Sequence, residues 1–382
     1  MNGQASNGDY TILDPGYGKT LLSQYGQFIV KGAIQDPSDL SFLSVSAGDS
    51  VELLLTDPLG DMTGLELPTA STYQAIPNSV YSDERLDTIN DDGSTTVDPY
   101  VFHELTVMQP LAGTYSLTIQ GISTGVFSLN IDSASSGGAV QPAVTLFGSV
   151  VPGSSQTYQI PLGINGVSVS TVPTSGTACN GIYNGTFNGN ITISSGQTCT
   201  FVGGQITGNV RVTGGSLVLS NTSVSRNVQI NGGGTFAIGP STIIQGDLQI
   251  QNIPVSSGLN VVCGANIKGN LLFQNNGTAA MIGSFPSCPG NTIGGNLTVQ
   301  SNSASTQVYN NRVSGNLQNQ YNTAATIIDG NTVGRNLLDQ NNTFSTQVFN
   351  NSVTNNLQCQ NDTTITGGGN TASKKQGQCS TF

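Results

Sequence analysis

The 382-residue chain is 36% hydrophobic and only 8% charged, with 49 glycines, a single histidine and no tryptophan. Its net charge of −11 is unevenly placed: the first 150 residues hold 17 acids and three bases, and the rest of the chain has four acids and seven bases. An acidic half argues against nucleic acid as a partner, since that needs a basic face, and no apolar run is long enough for a transmembrane helix.

The start, MNGQASNGDYTILDPG, has neither a basic leader nor an apolar one, so a signal peptide is expected to have been removed. Residues 1–172 read as short strands separated by Gly, Pro, Asp and Ser turns. The predicted strands are Phe28–Val30, Ser50–Thr56, His103–Met108, Gly113–Gln120, Thr124–Ile131, Ala143–Val150 and Ser155–Ile160. Such spacing predicts an antiparallel β-sandwich, with 139–172 as a short β linker. The stretch SDERLDTINDDG gathers side-chain oxygens, and Asp87, Asn90, Asp91 and Asp92 are the candidate Ca²⁺ ligands. No other cofactor is expected. His103 has no nucleophile near it in sequence and reads as an ordinary β-edge residue.

From Asn190 the chain returns repeatedly to Asn-Leu-x-x-Gln or a degenerate form of it. The first residues are Asn190, Asn209, Asn227, Asp247, Asn270, Asn296, Asn316, Asn336 and Asn356. The steps run from 18 to 26 residues and settle at 20. A fixed period of β-rich units signals a solenoid. Residues 173–382 are therefore predicted to form about nine coils of three short strands, closed by a C-terminal cap from Gly367. Ile293, Leu297, Val299 and Val308 are inward candidates, as is the column Thr306, Thr326, Thr346 and Thr366, which speaks against an ice-binding face. Two columns predict side-chain ladders along the axis: Asn296, Asn316, Asn336 and Asn356, and Gln300, Gln320, Gln340 and Gln360. Asn319 and Asp339 put polar groups in a column that is apolar in earlier coils.

Six cysteines allow 15 pairings. Cys179 and Cys199, and Cys359 and Cys379, are 20 residues apart; Cys263 and Cys288 occupy matching places in the two longest coils. Stacked coils lie about 4.8 Å apart, within disulfide reach. The spacing thus predicts Cys179–Cys199, Cys263–Cys288 and Cys359–Cys379, and with them an oxidising, extracellular setting.

The repeat resembles that of right-handed parallel β-helix proteins, a group that includes polysaccharide lyases, galacturonases and adhesins. LLLTDPLGDMTG at 53–64 and PLAGTYSLTIQGISTGVFSLNID at 110–132 are similar to bacterial pre-peptidase C-terminal-like sandwiches. That resemblance implies a secreted accessory module without catalytic residues of its own.

The solenoid region has no Glu or His, and its acids, Asp247, Asp329, Asp339 and Asp362, fall at different offsets in their coils. Paired carboxylates for glycoside cleavage must face one bond. The expected function is a non-catalytic extracellular structural or adhesive protein, a surface, filament or matrix component that binds glycans or a cell surface or assembles head to tail. The alternative is a polysaccharide lyase or glycoside hydrolase. Tyr309, Tyr321 and Phe349 are the aromatics that could stack on sugars.

Overall fold

The computed structural model describes residues 39–382 apart from 49, 85–87, 90–94, 97–100, 142, 164–165, 168–169, 172–178, 180, 256–259 and 285–287. The described residues are all-β. The predicted strand Phe28–Val30 lies outside them.

The chain divides into two compact units. One comprises Met1–Ile122, Leu129–Thr145 and Ser155–Val169; the other comprises Ser123–Ser128, Leu146–Ser154 and Ser170–Phe382. The N-terminal strands form two antiparallel sheets, of five and six strands. In the first, Phe42–Ala47 pairs with Gly125–Ala134 on one side and Phe102–Met108 on the other, and Ser79–Glu84 follows at the edge. In the second, Val51–Thr56 lies between Gly113–Gly121 and Met62–Glu66. Alternating apolar residues explain both sheets. Leu43, Val45, Leu105 and Val107 are fully buried in the first, and Leu53, Leu55, Leu117 and Ile119 in the second.

From Gly181 onward the strands pair in parallel with those of the next coil, for about ten turns. Each coil carries three strands, as in Thr292–Ile293, Leu297–Gln300 and Thr306–Tyr309. The short strands stack Ile267, Ile293, Val313, Val333 and Val353 in one inward column. The second strands stack Leu248, Leu271, Leu297, Leu317, Leu337 and Leu357. The third strands stack Ile238, Val262, Ile282, Val308, Ile328 and Val348. These residues are at most 5% exposed. A buried aliphatic side chain contributes about 1.5–3 kcal/mol. One coil buries four, Ile293, Leu297, Val299 and Val308.

Thr306, Thr326 and Thr346 point inward, each about 1% exposed or less. Thr366 does not join them. Ile365 pairs with Thr346 and takes the inward place, while Thr366 pairs with Gln347 and is exposed. The coil leading to it is shorter by one residue (Asn351 to Asn370 is 19), and a one-residue slip reverses the face of every side chain. The repeat also runs further than its motif. Thr371–Gly377 is one more parallel strand stacked on Ser352–Gln360, so the expected cap from Gly367 is largely another coil.

Two bends per coil use left-handed backbone. After the third strand, Asn310, Gly330, Asn350 and Gly369 have φ of 52–69°. After the second strand, Asn252, Asn275, Ser301, Tyr321, Asn341 and Asn361 have φ of 55–58°. Asn and Gly tolerate that region; a bulky side chain costs about 1 kcal/mol or more there. Tyr321 is the exception, and the residue is 52% exposed, so little burial offsets the strain. Tyr321→Asn is expected to raise stability by about 1 kcal/mol. The variant also gains a neighbour of the kind Asn361 already has, whose Nδ2 donates to Asn341 Oδ1 at 3.2 Å. A denaturation midpoint that fell would show the phenol holding the bend in a way its exposure does not suggest.

Candidate functional site

The solenoid's chemistry lies in its amides. Along the Asn column that opens each motif, exposed at Asn296 and half-buried at Asn316, Asn336 and Asn356, each residue donates back to the coil before it. Asn296 donates N–H and Nδ2 to Asn270 Oδ1 at 2.9 and 3.3 Å; Asn316 to Asn296, Asn336 to Asn316 and Asn356 to Asn336 repeat this. The Gln column is bonded in part, with Gln251 donating to Gln274 at 2.8 Å, Gln320 to Gln340 at 3.3 Å and Gln340 to Gln360 at 3.4 Å.

Two further ladders are buried, and sequence reasoning missed them as ladders. The first precedes the short strands and runs Asn291, Asn311, Asn331, Asn351, Asn370. The second follows the second strands and runs Asn276, Asn302, Asn322, Asn342, Asp362. Both donate forward, opposite in sense to the ladder that opens each motif. Asn322 N–H and Nδ2 reach Asn342 Oδ1 at 2.9 and 3.1 Å, and Nδ2 also reaches Val299 O at 3.3 Å and Asn319 Oδ1 at 2.8 Å. Every residue of the two ladders is 5% exposed or less. The amide suits the place because it accepts and donates at once. Asp362 has no side-chain donor and ends its ladder; its own N–H goes to Gln378 Oε1 at 2.9 Å.

The three predicted disulfides are present, with Cα separations of 5.3, 6.0 and 5.2 Å. Cys179–Cys199 and Cys359–Cys379 lie in the main solenoid core. Cys263–Cys288 belongs to a separate apolar cluster with Val218, Ala237, Val261 and Met281.

All four solenoid acids are engaged in these networks. Asp247 Oδ1 accepts N–H and Nδ2 of Asn270, and Asp329 Oδ1 accepts Nδ2 of Asn350. Asp339 faces inward in register between Asn319 and Cys359 and is fully buried, so the late coils have a polar interior. Its Oδ1 accepts Nδ2 of Asn319 at 2.6 Å and of Asn342 at 2.8 Å, while Oδ2 has no partner. Burial first, and the neighbouring Asp362 charge second, push its carboxyl well above the usual range. Burial raises Asp362 as well.

The aromatics do not gather into one platform. Tyr309 and Phe349 are half-buried, in register on either side of Asp329. Tyr321 sits at a different bend, and Phe344, 55% exposed, follows the second strand of the next coil.

In the N-terminal unit the calcium candidates Asp87, Asn90, Asp91 and Asp92 lie outside the described residues. A different group forms among the described residues. Asp83 and His103 are cross-strand partners on Ser79–Glu84 and Phe102–Met108, and Tyr81 is two residues before Asp83 on the same face. His103 is not at an edge; its strand lies between two others, and it is 3% exposed. Its Nδ1 is 2.8 Å from Asp83 Oδ1, 3.3 Å from Tyr81 Oη and 3.5 Å from Glu52 Oε2. The Tyr81 and His103 rings are parallel within 7°, centroids 6.4 Å apart. Tyr81 donates to Glu52 Oε2. Burial, and then the Glu52 carboxylate, keep the phenol protonated. Glu52 comes from the other sheet and is 7% exposed; the Asp83 side chain is 59% exposed. Nothing in local sequence links Glu52 to His103; the fold alone joins them.

No helix among the described residues is long and apolar enough to cross a membrane. No protein-family profile, curated protein or solved structure matches the chain.

Proposed function

We propose that the protein is a non-catalytic extracellular scaffold, a disulfide-stapled parallel β-solenoid joined to an acidic module of antiparallel sheets. The observation that carries this reading is the engagement of all four solenoid acids. Asp247 and Asp329 sit in amide networks, and Asp339 and Asp362 are buried where a polymer cannot reach them. A glycosidase or lyase needs carboxylates that face a groove. Three disulfides support secretion, since such bonds persist in oxidising compartments. The N-terminal segments 53–64 and 110–132 support an accessory module of the pre-peptidase C-terminal type.

A glycan-contacting surface is the favoured mode of adhesion. Tyr321 and Phe344 expose large aromatic side chains after the second strands of successive coils. The test is a polysaccharide and glycan array read for both binding and cleavage. Retention of a glycan class, lost on Tyr321→Ala/Phe344→Ala and without release of reducing or unsaturated ends, is the expected result. Release of such ends by the wild-type chain would replace the scaffold reading with the enzymatic one.

A further inference from the structure

We propose that Glu52, Asp83 and His103 bind one divalent transition-metal ion of the zinc class. The ligand atoms all lie within 4.8 Å of one another. Zinc ligands at about 2.0–2.2 Å in tetrahedral array are about 3.4 Å apart. The observed separations from His103 Nδ1, 2.8 Å to Asp83 and 3.5 Å to Glu52, bracket that distance. An ion can enter if Asp83, the exposed member, moves back from His103 Nδ1 by roughly 0.6 Å.

Charge favours the ion. Two carboxylates converge on one imidazole, and among the described residues no Lys or Arg forms an ion pair with either. Glu52 is almost wholly buried, where an ionised carboxylate is costly unless paired. One imidazole supplies at most one positive charge to two acids; a dication balances both. The donor set, one imidazole nitrogen and two carboxylates, suits zinc and its neighbours rather than calcium, which takes oxygen ligands only.

Each residue has a separate part. His103 and Glu52 form the buried wall. Asp83, on the solvent side, gives the ion its entry path and leaves a coordination position open to water. Tyr81 is a positioning residue: its hydroxyl donates to Glu52 and its ring stacks on the imidazole. The arrangement lacks one usual feature. His103 Nε2 is buried without a hydrogen-bond partner, whereas ligating histidines normally donate that N–H outward. Loss of such a partner weakens binding about 10- to 100-fold, so an exchangeable ion is expected rather than a permanent one.

The test uses the full, disulfide-intact chain, stripped with chelator and titrated with Zn²⁺ by calorimetry, with elemental analysis after dialysis. One ion per chain is expected, with a rise in melting temperature that grows with free Zn²⁺. Affinity should fall from pH 7 to pH 5 as protons compete for the ligands. Asp83→Asn alters an exposed side chain, leaves the apo fold unchanged, and should weaken Zn²⁺ binding about tenfold or more. His103→Gln should abolish it. If His103→Gln does not fold, Asp83→Asn decides alone. Absence of stoichiometric zinc in the wild type, or zinc bound by Asp83→Asn as tightly as by the wild type, overturns the proposal.

Discussion

Asn322→Ala is expected to destabilise the late coils by about 3–5 kcal/mol, whereas Asn296→Ala should cost under about 1 kcal/mol. The two asparagines belong to the same repeat and differ in what replaces their bonds. Asn322 Oδ1 accepts N–H and Nδ2 of Asn302 at 2.9 and 3.0 Å, and both donors are buried. With the side chain gone, neither finds water, and each unsatisfied buried donor costs about 1–3 kcal/mol. Asn322 also withdraws its Nδ2 from Asn342 Oδ1, Val299 O and Asn319 Oδ1, while its backbone N–H keeps its bond to Asn342. Asn296 accepts N–H and Nδ2 of Asn316 at 2.8 and 3.3 Å, but Asn296 is itself exposed and solvent takes over. Denaturant titration followed by hydrogen exchange in the coils around residue 322 measures both. Equal losses in the two variants would mean that burial does not set the worth of a rung.

The second large effect is a dependence on pH that runs against the common one for carboxylates. Asp339 binds its proton more tightly folded than unfolded, because burial and then Asp362 penalise its charge. Its favourable contribution is therefore complete below the unfolded value near 3.8 and is lost as pH rises through the raised folded value. Asp362, also raised, acts in the same direction. The late coils should be more stable at mildly acidic pH than at pH 8, with a slope approaching about 1.4 kcal/mol per pH unit where Asp339 is protonated only in the fold. Asp339→Asn keeps the Oδ1 that accepts from Asn319 and Asn342 and removes the charge. It should flatten most of the slope and raise stability at pH 8. A slope unchanged in Asp339→Asn, or stability rising with pH in the wild type, contradicts the assignment.

Much of the solenoid was legible in the sequence because a stacked fold turns period into contact. A 20-residue step with Ile, Leu and Val at fixed offsets defined three strands per coil, and the same step paired the cysteines. The first Asn column was visible because it opens every motif. The buried ladders were harder to see. Asn311 and Asn331 follow left-handed residues and read equally well as turn residues, and Asn302 and Asn322 sit beside Ser and Thr in what looks like a polar bend. Local composition cannot tell whether a bend asparagine turns its amide in or out; the depth of the neighbouring coils decides it. Thr366 was misplaced for a related reason, since one missing residue in its coil is enough to shift the register.

In the N-terminal region the long, evenly alternating strands such as Gly113–Gly121 and Gly125–Ala134 were read within a few residues. Phe42–Ala47, Met62–Glu66, Ser71–Gln74 and Ser79–Glu84 were not, because Ser, Thr and Gly dilute their apolar signal. Missing Ser79–Glu84 concealed the metal candidate. Without that strand, Asp83 has no reason to face His103, and His103 reads as an isolated histidine.

The central claim is that the solenoid's polar side chains hold the scaffold together rather than serve a substrate. Side-chain amide hydrogen exchange, followed by NMR on the folded, oxidised protein, tests it most directly. The Nδ2 protons of Asn302, Asn322, Asn331 and Asn342 are expected to exchange only through opening of their coils, orders of magnitude more slowly than the Nε2 protons of Gln340. Exchange of those four amides at the rate of exposed ones would contradict it.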